Sequence, residues 1–525
     1  MLIIQIIYRT GKFLFYAALL IIFGACQEST QEVDGKKGDE KSASSHGTTQ
    51  PNIVYILVDD LGYGDLNLGM DTLEVFKNPF IKTPHLAKLA SEGLVMTDHY
   101  ASSPVCSPSR AGLLTGRTPT RCNINRWIED IELDGTEYLR NDEITIAEKC
   151  LEAGYQTAIY GKWHLNCQDW LKKENWTAEK GSFPNQQGFQ TGMVSKENPH
   201  LTPFMNANSQ KNPGDFFDLN GNLLETLKGY TSQIITDSAL TYVKRRDKTK
   251  PFFLYLPYDA VHERIYNPDE YDEMYHTGET NRDVYYANVT YLDAQIGRFL
   301  DGLKEMGLED NTIVFFSSDN GPEVTRVYFG AWRSYGTSYP KYGQKRTLYE
   351  GGIRVPGIIR WPGKIVPGIS DEPNSTLDIM PTLCEIIGVE SPQDRALDGS
   401  SLLSHLLNGD SIVRKKPLYW QYEFPENFAL VGEGYTTRYD GTQRIYEKER
   451  LPKVSIRSGN YALRGIGGEK FEPPEEFFMF DVVNDPDEKR ELSRIDPELF
   501  EQLKARLLEI HRSVQEDRLV VAHQE

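Results

Sequence analysis

Asn52-Ile53-Val54-Tyr55-Ile56-Leu57-Val58, followed at once by Asp59-Asp60, is an unbroken apolar, β-branched run that ends in two carboxylates. Apolar residues at every position, without alternation, mark a strand buried on both faces, as in a sheet covered by helices on each side. Residues 155–160, 252–258 and 312–317 have the same character. Between these runs, residues 83–90, 144–153, 234–243 and 284–306 carry helical spacing, and the first, Thr83 to Ala90, reads as a capped helix with Pro84 at its first turn. Ile144, Ala147 and Leu151 are expected on one face of the second helix, and Leu292, Ile296, Phe299, Leu300 and Leu303 on one face of the last. Strands alternating with helices predict an α/β fold, and such folds bind their ligands just past the carboxyl ends of the strands.

The residues at those ends are chemically pointed. Asp59 and Asp60 continue into Leu61-Gly62-Tyr63-Gly64-Asp65. Two carboxylates after a buried strand are costly unless a cation or hydrogen bonds offset them, and oxygen ligands favour Ca²⁺ or Mg²⁺. The run at 312–317 delivers Ser318-Asp319-Asn320-Gly321, which repeats that logic, so two strand ends offer four oxygen ligands. The run at 155–160 delivers Gly161-Lys162-Trp163-His164, in which Lys162 and His164 point the same way while the chain stays extended. The run at 252–258 ends in Asp259-Ala260-Val261-His262. Taken singly, these read equally well as a solvated acidic loop, an Asn-Gly turn and an aromatic-rich loop with a surface lysine.

Cys106-Ser107-Pro108-Ser109-Arg110 leads into Ala111-Gly112-Leu113-Leu114-Thr115-Gly116-Arg117. Pro108 suits the first position of a helix, which puts Cys106 at a helix N-terminus. Free N–H groups there favour an anion, and Arg110 lies one turn on. On its own the cysteine reads as a small buried hydrophobe.

As a string, Cys-x-Pro-Ser-Arg followed by Leu-Thr-Gly-Arg resembles the signature of the formylglycine-dependent type I sulfatases of the alkaline phosphatase superfamily. The Asp59-Asp60 block, Gly161-Lys162-Trp163-His164-Leu165, Asp319-Asn320-Gly321 and the stretch from Lys345 to Pro356 through Glu350-Gly351-Gly352 resemble further family blocks in the same order. His262 takes the place of a family histidine without the prolines that usually flank it. The resemblance runs from about residue 51 to 510. It implies a large α/β domain with a mixed, mainly parallel central sheet and a smaller C-terminal α+β domain with an antiparallel sheet. It also implies hydrolysis of sulfate esters, with Cys106 converted to formylglycine by a maturation enzyme. Asp59, Asp60, Asp319, Asn320 and the modified Cys106 are then expected around one Ca²⁺. Arg110, Lys162 and Lys345 are expected to stabilise charge, with Asp319 assisting deprotonation of the nucleophile. His262, with Lys345, is expected to protonate the leaving oxygen, and His164 to assist sulfate release. Two other readings stay open: a phosphonate monoester or phosphodiester hydrolase on the same scaffold, and an inactive lipoprotein that binds sulfated glycans.

The chain has 525 residues, 39% hydrophobic and 25% charged, with a formal net charge of −19. Such length exceeds one simple core, and such charge argues against nucleic acid, which demands a basic face. Arg9 and Lys12 precede a short apolar run, too short to span a bilayer as a helix, and Phe23-Gly24-Ala25-Cys26 resembles a bacterial lipobox. The expected organisation is a lipoprotein signal peptide at 1–26, a flexible tether at 27–50, a catalytic domain at 51–410 and a C-terminal subdomain at 411–525. The expected location is periplasmic or outer-membrane-anchored, in contact with a membrane only through the lipid. Cys122, Cys150, Cys167 and Cys384 carry no zinc-type spacing and leave their pairing open.

Residues 166–230, irregular and rich in Asn, Gln, Gly and Pro with Trp170, Trp176, Phe183, Phe189 and Phe204 interspersed, are a candidate surface for a sulfated carbohydrate, together with residues 322–343 and 421–450. His200 has no assigned role. Toward the C-terminus, residues 418–420, 454–457 and 478–481 are short strand candidates. Asp496-Pro497 caps a final helix with a stripe of Leu499, Leu503, Leu507 and Ile510.

Overall fold

Ile53, Tyr55 and Leu57 turn to one side of the first strand and Val54, Ile56 and Val58 to the other, and all six are buried. A strand apolar at every position is stable only with a cover on each face, and helices supply both. The computed structural model describes residues 50–522 except 74, 129–137, 167–181, 196–215, 223, 225, 226, 228, 264, 325–333, 423–434, 440–443 and 449–450. The signal, residues 27–49 of the tether, Cys26, Cys167, Trp170, Trp176, His200, Phe204 and parts of the three candidate substrate loops lie outside the described residues.

The strands are β1 (Asn52–Val58), β2 (Leu94–Met96), β3 (His99–Tyr100), β4 (Gln156–Lys162), β5 (Thr191–Ser195), β6 (Phe216–Phe217), β7 (Phe252–Tyr258), β8 (Thr312–Ser318), β9 (Gly357–Arg360), β10 (Gly368–Ser370) and β11 (Asn374–Ser375). Nine of them form one sheet in the order β10-β2-β9-β8-β1-β7-β4-β5-β6. Its centre, β8-β1-β7-β4-β5, is all parallel, whereas β9 and β6 join antiparallel. The carboxyl ends of five central strands therefore open on one edge. β3 and β11 pair separately.

The helices are α1 (Pro84–Ser91), α2 (Cys106–Thr115), α3 (Ile146–Glu152), α4 (Thr231–Arg245), the short α5 (Asp269–Asp272), α6 (Thr280–Glu305), α7 (Glu350–Ile353), α8 (Ile379–Ile387), α9 (Leu403–Asn408) and α10 (Pro497–Ala522). α1, α4 and α6 pack on the Val54 face, and α2, α3 and α8 on the Ile53 face. After α9, β12 (Leu418–Gln421), β15 (Val454–Ser458), β16 (Tyr461–Ile466) and β17 (Glu476–Asp481) make an antiparallel sheet, and β13 (Tyr435–Tyr439) pairs with β14 (Arg444–Lys448). Leu503, Leu507, Ile510 and Val514 of α10 bury against Val454, Ile456, Leu463 and Met479 of that sheet. Asp496 Oδ1 accepts the Leu499 N–H at 3.1 Å, which is the expected cap.

Several local expectations need correction. α2 begins at Cys106 itself, two residues before Pro108, so the cysteine is the first helical residue and Val105 the N-cap. α3 begins at Ile146 because Thr145 and Glu148 form a capping box, and its buried face is Ile146, Ala147 and Cys150 rather than Ile144, Ala147 and Leu151. Thr83 does not cap α1 with its side chain; carboxylate oxygens of Asp293 on α6 accept the His85 and Leu86 N–H groups instead. The stretch 166–230 is not wholly irregular, since it supplies β5 and β6. Cys106, Cys122, Cys150 and Cys384 are free and buried. Among the described residues no helix is long and apolar enough to cross a membrane.

Candidate active site

Each central strand end contributes one part of a single cluster. β1 leads into Asp59 and Asp60, β8 into Asp319 and Asn320, β4 ends in Lys162, and β7 leads to Asp259 and His262, while α2 brings Cys106 and Arg110 across the same edge. Register holds the two acidic ends together: Val58 pairs with Ser318, the Asp319 N–H donates to Val58 O at 3.0 Å, and the Leu61 N–H donates to Ser318 Oγ at 3.0 Å. The 345–356 block closes on them at Gly321, where an added Cβ would lie 1.9 Å from Gly351 O, and the Gly321 N–H donates to Gly352 O at 2.9 Å. Only glycine permits that approach.

Three carboxylates face three cations. Lys162 Nζ donates to Asp59 Oδ2 at 2.5 Å, and Lys345 Nζ lies 2.6 Å from Asp60 Oδ1. Arg110 donates from Nε and Nη2 to Asp319 Oδ2 at 3.0 and 2.8 Å, from Nη1 to Lys162 O at 2.7 Å, and its Nη2 is 3.7 Å from Asp59 Oδ2. Cys106 Sγ contacts Asp59 Oδ1 at 3.3 Å. His262 Nε2 is 3.7 Å from Asp60 Oδ2, and its Nδ1 is 2.6 Å from Glu263 O. Cys106, Arg110, Lys162, Lys345 and the three carboxylates are all buried, whereas His262 is partly open.

This crowding sets proton affinities. Burial pulls Asp59 up, but Lys162, His262, Arg110 and Lys345 together hold it well below the usual carboxylate range. Asp319 goes the other way: burial, and then Asp59, push it up to about 7 against the pull of Arg110. Burial and the nearby Asp59 push the Cys106 thiol far up, so the unmodified residue is a poor nucleophile. Burial, with Lys162 and Arg110 adjacent, holds His164 well below its ordinary value, so it stays neutral.

All ten residues expected from the sequence lie on this edge, but two behave differently from expectation. His164 does not follow Lys162 in direction, because its φ of 56° breaks the extended chain and its Nε2 turns to Ile128 O at 3.0 Å. The carboxylate touching Cys106 is Asp59, whereas the Asp319 carboxylate is gripped by Arg110. Ser195, at the end of β5, and Asp259 carried no role in the sequence. Ser195 Oγ donates to Asp259 Oδ1 at 2.9 Å, and burial raises Asp259 to about 6. The strand holding Ser195 lacks the apolar run that marked its neighbours.

The donor set fits the divalent ion that the resemblance implies. Ligand atoms of Asp59, Asp60, Cys106 and His262 lie within 4.8 Å of one another. With sulfur and imidazole included, that set would suit zinc, but replacing the thiol with an oxygen function leaves mainly hard oxygens, which suit Ca²⁺. Asn320 adds a further oxygen: its Nδ2 donates to Asp60 Oδ1 at 2.8 Å, while its Oδ1 is buried without a hydrogen-bond partner among the described residues. An orphaned amide oxygen beside two buried carboxylates fits a cation site.

The chain matches the model of the family described as sulfatase over residues 51–389, and the model described as N-sulphoglucosamine sulphohydrolase, C-terminal, over residues 340–445. It is 33% identical to the N-acetylgalactosamine-6-sulfatase of Homo sapiens over 386 residues, covering 70% of this chain and 68% of that one. Among solved structures it resembles Ps i-CgsB in complex with k-i-k-neocarrahexaose, with a TM-score of 0.70 at 23% identity over 89% of this chain and 94% of that one. It also resembles a protein in complex with its substrate D-glucosamine-2-N,6-O-disulfate, with a TM-score of 0.60 at 20% identity over 90% of this chain and 98% of that one.

Proposed function

The chain belongs to the sulfatase family, and from that premise we propose that it removes sulfate from a sulfated carbohydrate, using formylglycine formed at Cys106 and one Ca²⁺. Sulfate ester hydrolysis follows from the family; the carbohydrate class is supported by N-acetylgalactosamine-6-sulfatase among the relatives and by sugar-bound structural neighbours. The single observation that carries the mechanism is the convergence of Cys106, Arg110, Lys162, Lys345 and three carboxylates in one buried cluster.

Asp59, Asp60, Asp319, Asn320 and the modified Cys106 would hold Ca²⁺, which supplies Lewis-acid polarisation of a sulfate oxygen. Formylglycine hydrate would supply a hydroxyl as nucleophile, and a second hydroxyl whose proton loss releases sulfate. The chain's own residues do the rest. Cys106 is the first residue of α2, so position 106 sits at the positive end of the helix. Asp59 touches the nucleophile's position, and Arg110 grips Asp319 beside it. Lys162, Lys345 and Arg110 are fixed cations for charge that grows on the sulfuryl oxygens. His262, partly open and 3.7 Å from Asp60, suits protonating a leaving alcohol oxygen. His164, kept neutral by burial beside Lys162 and Arg110, is assigned to sulfate release by the family resemblance alone. Export with a lipid at Cys26 belongs to the same reading and rests on residues 1–26 alone.

The test is sulfate release by matured, calcium-loaded enzyme from N-acetylgalactosamine 6-sulfate, sulfated carrageenan oligosaccharides and D-glucosamine 2-N,6-O-disulfate, beside phenyl phosphonate ester hydrolysis. A sulfated sugar turned over faster than the phosphonate supports the reading. Phosphonate as the better substrate would replace it with the phosphonate hydrolase, and failure on every ester by fully modified enzyme would replace it with a glycan binder.

A further inference from the structure

Lys345 and Arg346 are neighbours in sequence, yet their side chains diverge. Arg346 has φ 71°, in the left-handed region that an arginine ordinarily avoids. Lys345 consequently turns to Asp60, and Arg346 turns to Glu323, with Nη1 2.5 Å from Oε2. The backbone of the same pair makes two more ties: the Lys345 N–H donates to Pro322 O at 3.1 Å, and the Arg346 N–H donates to Pro104 O at 2.9 Å. Pro104 lies two residues before Cys106, and Pro322 and Glu323 follow Asp319 and Asn320. One dipeptide thus joins the loop of the nucleophile, the loop of the oxygen ligands and the loop of the lysine.

The pairing is costly to keep. Arg346 and Glu323 are 6% and 4% exposed, so each ion has given up water for the other, and the guanidinium carbon lies 5.8 Å from the Trp127 ring centroid. Glycine would hold the left-handed turn without strain but could not reach Glu323. A strained arginine in a desolvated pair is what remains when the turn and the clamp are both required.

We propose that Arg346 is a positioning residue of the hydrolytic reaction, clamping Glu323 so that Lys345 is held in register with Cys106 and the Asp319-Asn320 loop. The inference rests on the proposed role of Lys345 at the sulfuryl group. Arg346 acts through Lys345 and the loop, with no contact to the reacting atoms required of it.

The experiment compares matured, calcium-loaded enzyme with Arg346→Gly, Glu323→Gln, Arg346→Lys and Lys345→Ala on 4-nitrophenyl sulfate. Arg346→Gly keeps the turn and is expected to lower kcat by about tenfold to a hundredfold with KM nearly unchanged, the scale expected of a misplaced catalytic group. Glu323→Gln should match it, and the double variant should be no worse than either single one. Arg346→Lys keeps charge without the planar fork and should recover only part of kcat. In the Lys345→Ala background, Arg346→Gly should cost less than about twofold, because the group it positions is gone. An unchanged kcat in Arg346→Gly, or its full loss repeated in the Lys345→Ala background, overturns the inference while leaving the role of Lys345 intact. Wild-type turnover by Lys345→Ala overturns that role, and the inference with it.

Discussion

The Lys162 ammonium and the Asp59 carboxylate meet at 2.5 Å, joining the ends of β4 and β1, and both are buried. A residue suited to sulfuryl charge and a residue suited to a cation thereby neutralise one another. A dication arriving at Asp59 has to displace this ammonium. Lys162→Met should therefore bind Ca²⁺ more tightly, by about tenfold or more, equivalent to about 1.4 kcal/mol or more, while turnover falls. Calorimetric titration of Ca²⁺ into metal-free protein reads the first effect, and an unchanged or weakened affinity would contradict it.

Arg464 on β16 holds two buried carboxylates: Nη2 is 3.1 Å from Glu350 Oε1 and 2.9 Å from Glu488 Oε1. Glu350 opens α7, five residues after Lys345, so the small antiparallel sheet braces the catalytic block. Arg464→Ala strands Glu488 and removes one cation from Glu350, whose Oε2 keeps Tyr100 and Arg354, and should cost about 3–5 kcal/mol in urea unfolding. The triple variant Glu350→Gln, Glu488→Gln, Arg464→Met should recover much of that. A single variant within about 1 kcal/mol of wild type would refute the brace.

His99 on β3 sits 1% exposed, with Nδ1 2.5 Å from Asn374 Oδ1 and Nε2 3.0 Å from Ser317 Oγ. Burial lowers it to about 4. A histidine depressed in the folded state takes its proton first in the unfolded chain. Stability is therefore lost as pH falls from about 6.5 toward 4. Between pH 7 and 5 this group accounts for roughly 2 kcal/mol, and His99→Gln should lose that much less over the same interval. Equal pH dependence in the two proteins would contradict the assignment.

The site was legible where chain direction is encoded by composition. β1, β7 and β8 each carry an unbroken apolar stretch, at residues 53–58, 252–258 and 313–316, so the residues after them could be placed at strand ends from the sequence alone. β5 escaped because Thr191 and Gly192 break the apolar pattern at its start, and β16 because Arg464 is buried by an ion pair that its charge conceals. His164 and Arg346 escaped for another reason: both take positive φ, which neither residue type announces. What decided those directions was tertiary, a carbonyl of Ile128 in one case and Glu323 in the other.

The measurement that tests the central claim most directly is the mass of the peptide containing Cys106, from enzyme made together with a formylglycine-generating maturation enzyme. Exchange of the thiol for an aldehyde predicts a loss of about 18 mass units, present in the fraction that releases sulfate and absent from an inactive Cys106→Ser variant. Sulfate release by protein whose Cys106 peptide carries the unmodified thiol would contradict the account.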